Sequence, residues 1–283
     1  MNVYKKGNLY VVATPIGNLE DITLRALRIL KEVDYILCED KRITVKLLNK
    51  YEVKSKLISF HKFNELKSQE NILLDLKCGK NIALVSDAGS PLISDPGTEL
   101  VSLAYKNRIK VIPIPGASAL ISALSACPIK FNNFYFVGFL PDKASKRKEM
   151  ISSFSQISAL AVIYIAPHDL KKYIKEIYAH YPELEIFYSR ELTKIYEESW
   201  HGQIKDFVGF VEEKEFKGEM VLVLNFQGVT SDKTEISEDE LIEKMKEQIA
   251  KGQSLKEVSK LFAKEYNLSS KKLYNRYIKN NEG

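Results

Sequence analysis

The sequence predicts an α/β protein: two α/β domains followed by a helical, basic module. Three observations predict it. Ten short, apolar, β-rich runs alternate with helical patterns as far as Phe226. The loops leaving the first, fourth and fifth runs are rich in glycine, proline and small residues, where α/β folds place ligands. The net charge of +5 lies wholly in residues 241–283, which hold ten Lys/Arg against five Asp/Glu.

NLYVVA (8–13), YILCE (35–39), KLISF (56–60), NIALVS (81–86) and KVIPI (110–114) read as the first five strands. Between them Ile22, Ala26, Ile29, Leu30 and Val33, then Leu66, Ile72, Leu73 and Leu76, recur at helical spacing. Strands separated by helices imply βαβ units and a mainly parallel sheet. After a helix at 117–126 a second series follows: FYFVGF (134–139), ALAVIYIA (159–166), LEIFYSRE (184–191), the alternating IYEESWHG (195–202) and EMVLVLNF (219–226). Ser125 to Asn133 is the expected hinge, giving an N-terminal α/β domain, 1–126, and a C-terminal α/β domain, 127–230. SDKTEISEDE (231–240) carries five acids and one lysine, so 231–283 reads as an acidic linker and a basic helical tail. Within the tail, Ser254 and Glu257 fit a capping box before a helix that presents Leu255, Val258, Leu261 and Phe262 on one face. NLSS then makes a turn, and KKLYNRYIK supplies a second basic helix, the pattern of a helix-turn-helix-like module.

Several classes are excluded. Cys38, Cys78 and Cys127 form no CxxC, so neither a disulfide framework nor a zinc site is suggested, and no metal is expected. No loop is a GxxxxGK[ST] phosphate loop or a GxGxxG dinucleotide turn. The N-terminus lacks an apolar signal core and no run of about 18 apolar residues exists, so a cytoplasmic protein without a membrane partner is expected.

The chemistry concentrates in SDAGSPLISDPG (86–97), with two glycines, two prolines and two aspartates directly after a strand. Glycines permit close backbone approach, prolines stiffen the loop, and Asp87 and Asp95 offer acceptors for hydroxyl or amine groups. Two successive turns with aspartate caps are the plainer reading.

ATPIGNLEDIT, CEDKR, LVSDAGSPLISDPG and IPGASA, with APHDL, RELTK and KGEMVLV later, together resemble the ribosomal RNA small subunit methyltransferase I family of the tetrapyrrole-methylase superfamily. The likeness runs from Leu9 to about Asn225. Lys41, where threonine is more usual, and Asp142, in a usually more basic stretch, depart from it. The resemblance implies S-adenosyl-L-methionine (AdoMet) in a cleft between two domains, a homodimer, and methylation of a cytidine ribose 2′-hydroxyl in small-subunit ribosomal RNA or the small ribosomal subunit. By carry-over, Pro15 and Gly17 line the cleft. Ser86, Asp87, Ala88, Gly89 and Ser90 meet the amino-acid end and sulfur, and Ala117 and Ser118 the adenosine. Ala166, Pro167, Leu192, Glu219, Met220 and Val221 close over the adenine.

A ribose hydroxyl is a poor nucleophile, so a proton acceptor is expected among strand-end acids. Asp87, Asp40 and Glu39 are the candidates, with Glu191 and His61 behind them; helix capping is the alternative for Glu39–Asp40. Arg42, Arg190 and Lys194 fit RNA phosphate or pairing with those acids. Lys143, Lys146, Arg147 and Lys148, and Lys271, Lys272 and Arg276 in the tail, are further RNA candidates, and a charge run is equally a solvated helix face. Tyr274 and Tyr277 fit base stacking or the tail's own core. Two other functions stay open: a methylase of a tetrapyrrole or other small molecule, and a non-catalytic RNA-binding ribosome assembly protein.

Overall fold

All ten predicted runs contain a strand. β1 (Asn8–Val12), β2 (Tyr35–Cys38), β3 (Leu57–Ser59), β4 (Ile82–Leu84) and β5 (Lys110–Ile114) pair in parallel in the order β3-β2-β4-β1-β5. The structure, a computed structural model, describes residues 6–62, 64–229, 238–250, 252–265 and 269–281. Side chains alternate across the pleat. Val12, Ile36, Cys38 and Ala83 meet helices Leu24–Glu32 and Lys41–Lys50 on one face. Leu9, Leu37, Ile82 and Leu84 meet helices Glu65–Lys77 and Thr98–Lys106 on the other. Each fully buried leucine or isoleucine contributes roughly 1.5–3 kcal/mol before conformational entropy is subtracted.

This strand order creates a crevice. β1 and β4 are neighbours, yet the helices that follow them lie on opposite faces of the sheet. The chain parts at their carboxyl ends, which is where α/β sheets accept ligands.

The second sheet comprises β6 (Phe134–Phe139), β7 (Leu160–Ile165), β8 (Glu185–Arg190), β9 (Glu198–Gln203) and β10 (Met220–Asn225), in the order β6-β7-β10-β8-β9. Only β6 and β7 pair in parallel. The expectation of mainly parallel pairing therefore fails here. β8 and β9 are joined by a short loop, which permits only an antiparallel pair, and β10 enters antiparallel between β7 and β8. Helix Ala119–Ala126 packs Leu120, Ala123 and Leu124 against Leu160, Phe187, Val221 and Val223 of this second sheet.

Met1–Gln227 forms one compact unit and Gly228–Gly283 another. In the second unit, helices Glu238–Ala250, Leu255–Glu265 and Ser270–Asn281 enclose Leu241, Met245, Val258, Phe262 and Leu273. The capping box forms as expected: Ser254 N–H donates to Glu257 Oε2 at 3.2 Å and Glu257 N–H to Ser254 Oγ at 3.3 Å. Leu261, expected inside, is exposed. Tyr277 packs against the core, whereas Tyr274 is exposed. Residues 231–237 of the expected acidic linker lie outside the described residues, and its last three begin the first helix of this unit.

Candidate active site

The loops leaving β1 and β4 are pinned to each other. Thr14 N–H donates to the Gly89 carbonyl at 2.9 Å, and Gly89 N–H returns the bond at 3.0 Å. Gly89 sits at φ +76°, a region that costs other residues energy. Ser86 is buried, and its Oγ lies 3.2 Å from the carbonyls of both Ala88 and Gly89. Beside this knot opens a cleft of about 430 Å³, walled by loops of both sheets.

Eleven residues implied for the cofactor line that cleft: Asp87, Ala88, Gly89, Ser90 and Ser118 from the first side, and Ala166, Pro167, Leu192, Glu219, Met220 and Val221 from the second. Four do not. Pro15 is buried and Ile16, which sequence reasoning missed, takes its place on the wall. Gly17 turns toward the loop after β8, where an added Cβ would stand 2.8 Å from Thr193 Oγ1. Ser86 acts behind the wall, and the Ala117 carbonyl accepts from Ser90 Oγ at 3.4 Å. Ala119, Ile165 and Gly218 also line it, as does Asp95, which the sequence offered as an acceptor; Ile93, Ser94, Phe139 and Tyr164 line it too and were missed as site residues.

Backbone strain gathers at the same place. Of six non-glycine residues at positive φ among the described residues, four belong to the two loops facing the cleft: Leu92 (71°), Ser94 (75°), Glu191 (53°) and Thr193 (68°). Such conformations persist where surrounding structure imposes them, and they cluster at functional sites.

The candidate acids separate by environment. Asp40 caps helix Lys41–Lys50, accepting from Arg42 N–H at 2.8 Å, and pairs with the Arg42 guanidinium at 2.6 Å. Those bonds hold its carboxyl down at about 2, so the capping alternative describes Asp40. It is a poor base. Burial, then the nearby Asp87 charge, raises Glu39, which stands outside the cleft lining. Burial also raises Asp87, although its Oδ1 accepts from Asp40 N–H at 3.0 Å. Across the cleft, burial pushes Glu191 up, but bonds from Lys194 Nζ at 2.7 Å and Glu219 N–H at 3.0 Å win and hold it below the usual carboxylate range.

The basic candidates divide in the same way. Arg147 is corrected: its side chain is 1% exposed, pairs with Glu176 at 2.6 Å and donates to the Pro141 and Asp142 carbonyls. It cannot reach RNA. Lys194 bridges Glu191 and Glu219 and so follows the acid-pairing alternative, whereas Arg190 pairs at 3.1 Å with Glu198, which is none of the candidate acids. Arg42 is exposed though paired, while Lys143, Lys146 and Lys148 are exposed around helix Ala144–Ser153. Lys271, Lys272 and Arg276 are exposed on the last helix.

The family model for tetrapyrrole (corrin/porphyrin) methylases matches residues 8–208, and the chain belongs to that family. Among solved structures, diphthine synthase superposes with a TM-score of 0.60 at 14% identity, over 77% of this chain and 90% of that one. Uroporphyrin-III C-methyl transferase from Thermus thermophilus, complexed with S-adenyl homocysteine, gives 0.54 at 17% identity over 77% and 97%. These share the fold. Closer in sequence, ribosomal RNA small subunit methyltransferase I of Halalkalibacterium halodurans is 40% identical over 274 residues, 96% of this chain and 95% of that protein. The Thermotoga maritima protein of that name is 42% identical over 219 residues, 77% of this chain and 98% of its own length. Within the tetrapyrrole methylases, the chain belongs to the ribosomal RNA small subunit methyltransferase I group.

Proposed function

We propose that this protein transfers a methyl group from AdoMet to the ribose 2′-hydroxyl of a cytidine in small-subunit ribosomal RNA. The likeness to small-subunit ribosomal RNA methyltransferases over 96% of the chain carries the reading. The cleft's chemistry suits the cofactor. Its volume of about 430 Å³ falls in the range of small-molecule sites. Ile16, Leu192, Met220 and Val221 offer an apolar bed for an adenine, and Asp87 offers negative charge for a sulfonium or an ammonium. The bound cofactor supplies an electrophilic methyl group on positively charged sulfur.

The chain's own part is then to position, to exclude water and to take a proton. Holding the two reactants in line is worth roughly 7–11 kcal/mol in favourable cases. A placed proton acceptor adds about 10²–10⁴-fold in rate. Exposed Lys143, Lys146 and Lys148, with Lys271, Lys272 and Arg276 of the second unit, are the proposed phosphate contacts. The protein is proposed to act as a cytoplasmic homodimer.

The test is methyl transfer from labelled AdoMet to undermethylated small ribosomal subunits, followed by nuclease mapping. Label in one cytidine ribose is expected. AdoMet binding with no label in RNA favours the non-catalytic assembly role, and label in a tetrapyrrole favours a small-molecule methylase.

A further inference from the structure

Asp95 is held in place from both sides. Leu92 and Ser94 before it occupy the left-handed region, and Pro96 after it confines the residue that precedes proline. Asp95 lines the cleft. Neither helix capping nor ion pairing explains it. Helix Thr98–Lys106 begins at Gly97 and has no side-chain cap. Asp95 forms no ion pair among the described residues, whereas Asp40 has Arg42, and Glu191 and Glu219 share Lys194. No His/Cys/Asp/Glu group among the described residues is placed to hold a metal ion.

We infer that Asp95 is the proton acceptor for the substrate hydroxyl, an assignment that rests on the function proposed above. As the hydroxyl oxygen bonds the methyl carbon, the carbon–sulfur electron pair leaves with sulfur. The hydroxyl proton passes to the Asp95 carboxylate, which returns it to water. Asp87 is the weaker candidate because the Arg42 cation bears on it as well as the bond from Asp40 N–H, and Glu39 does not line the cleft.

The electrostatic surroundings agree. Burial, then repulsion from Glu39 and from Asp87, lifts the Asp95 carboxyl to about 6, and the Ser86 hydroxyl pulls back only part of the rise. From the second sheet, the Tyr164 phenol feels the charges of Asp95 and Glu219. His61 acts on Glu39, Arg42 acts on Asp87, and Lys194 is spent on Glu191 and Glu219. Asp95 is therefore ionised near neutral pH while remaining a stronger base than an ordinary carboxylate, which general-base catalysis favours.

Asp95→Asn separates this role from its rivals. Single-turnover methylation of undermethylated small subunits is expected to fall about 10²–10⁴-fold at saturating AdoMet. AdoMet affinity by calorimetry should change less than about threefold. The wild-type rate should rise with pH through about 6 and then level, and the variant's should stay flat. A readout without cofactor completes the test. A raised carboxyl pKa makes the folded state hold its proton longer than the unfolded one, so stability falls as pH climbs from about 4 through about 6. Asp95→Asn should thus raise the Tm at pH 8 by roughly 2–4 °C, with the gain gone below about pH 4. Rates within about threefold of wild type overturn the inference. So does a loss of AdoMet affinity matching the loss of rate, which makes Asp95 a cofactor grip, or a lowered Tm at pH 8, which makes it structural. A wild-type protein that labels no RNA defeats the proposed function first, and this assignment with it.

Discussion

The two walls of the cleft are built alike and charged differently. Each is a loop with non-glycine residues forced to positive φ, at Leu92 and Ser94 on one side and Glu191 and Thr193 on the other. On the second-sheet wall every acid has a partner: Lys194 bridges Glu191 and Glu219, and Thr193 N–H donates to Glu197 at 2.6 Å. On the first-sheet wall, burial and then neighbouring acids raise both carboxyls, Asp40 acting on Asp87, and Glu39 and Asp87 acting on Asp95; neither has an ion-pair partner among the described residues. A protein gains nothing in stability from crowding uncompensated acids. The difference teaches that the second-sheet wall holds shape while the first-sheet wall is kept for chemistry.

The largest expected effect lies away from the cleft, in the helices that pack on the second sheet's side of the molecule. Arg147→Ala would leave Glu176 without its buried partner and should cost about 3–5 kcal/mol, read by denaturant unfolding. RNA affinity should keep its salt slope in that variant, since Arg147 reaches no solvent. Next in size is the first-sheet wall itself. Gly89→Val forces a β-branched residue to φ +76°, 3.4 Å from Ile16, and loosens the Thr14–Gly89 pairing. A strain of about 1–3 kcal/mol predicts AdoMet affinity about tenfold to a hundredfold weaker by calorimetry, with the protein still folded.

Much of this was legible in the sequence. Short apolar runs bounded by turn residues locate every described strand, and the proline- and glycine-rich loops after β1 and β4 mark the cleft. Pairing order was not legible, because β10 finds its place between β7 and β8 through packing of both its faces. Arg147 was misread from the charge run KASKRK. The clue lay one turn on: Ile151 is buried four residues later, so both project from the inward face of helix Ala144–Ser153. Asp95 was seen as an acceptor, but its isolation from cations depends on chain segments far apart in sequence.

Smaller effects sharpen the contrast further. Lys194→Met should cost on the order of 1 kcal/mol at pH 7, since the pair is only partly exposed. The sign with pH follows from Glu191, whose pKa is depressed on folding. Its contribution is full above about pH 4.3 and is lost as pH falls through the lower folded value, so wild type and variant should converge in acid. The smallest stability effect belongs to the second unit. The Thermotoga maritima relative, matched over 98% of its length to 77% of this chain, is too short to carry counterparts of both units. Truncation to residues 1–227 should therefore leave AdoMet binding intact and flatten the salt dependence of RNA binding, checked by filter binding at several salt concentrations.

The claim that the walls divide labour is tested most directly by melting Glu191→Gln and Asp95→Asn side by side at pH 8 without cofactor. A carboxylate held by Lys194 should be missed, and one crowded by Glu39 and Asp87 should not. The account predicts a lower Tm than wild type for Glu191→Gln and a higher one for Asp95→Asn. Two variants shifting in the same direction would contradict it.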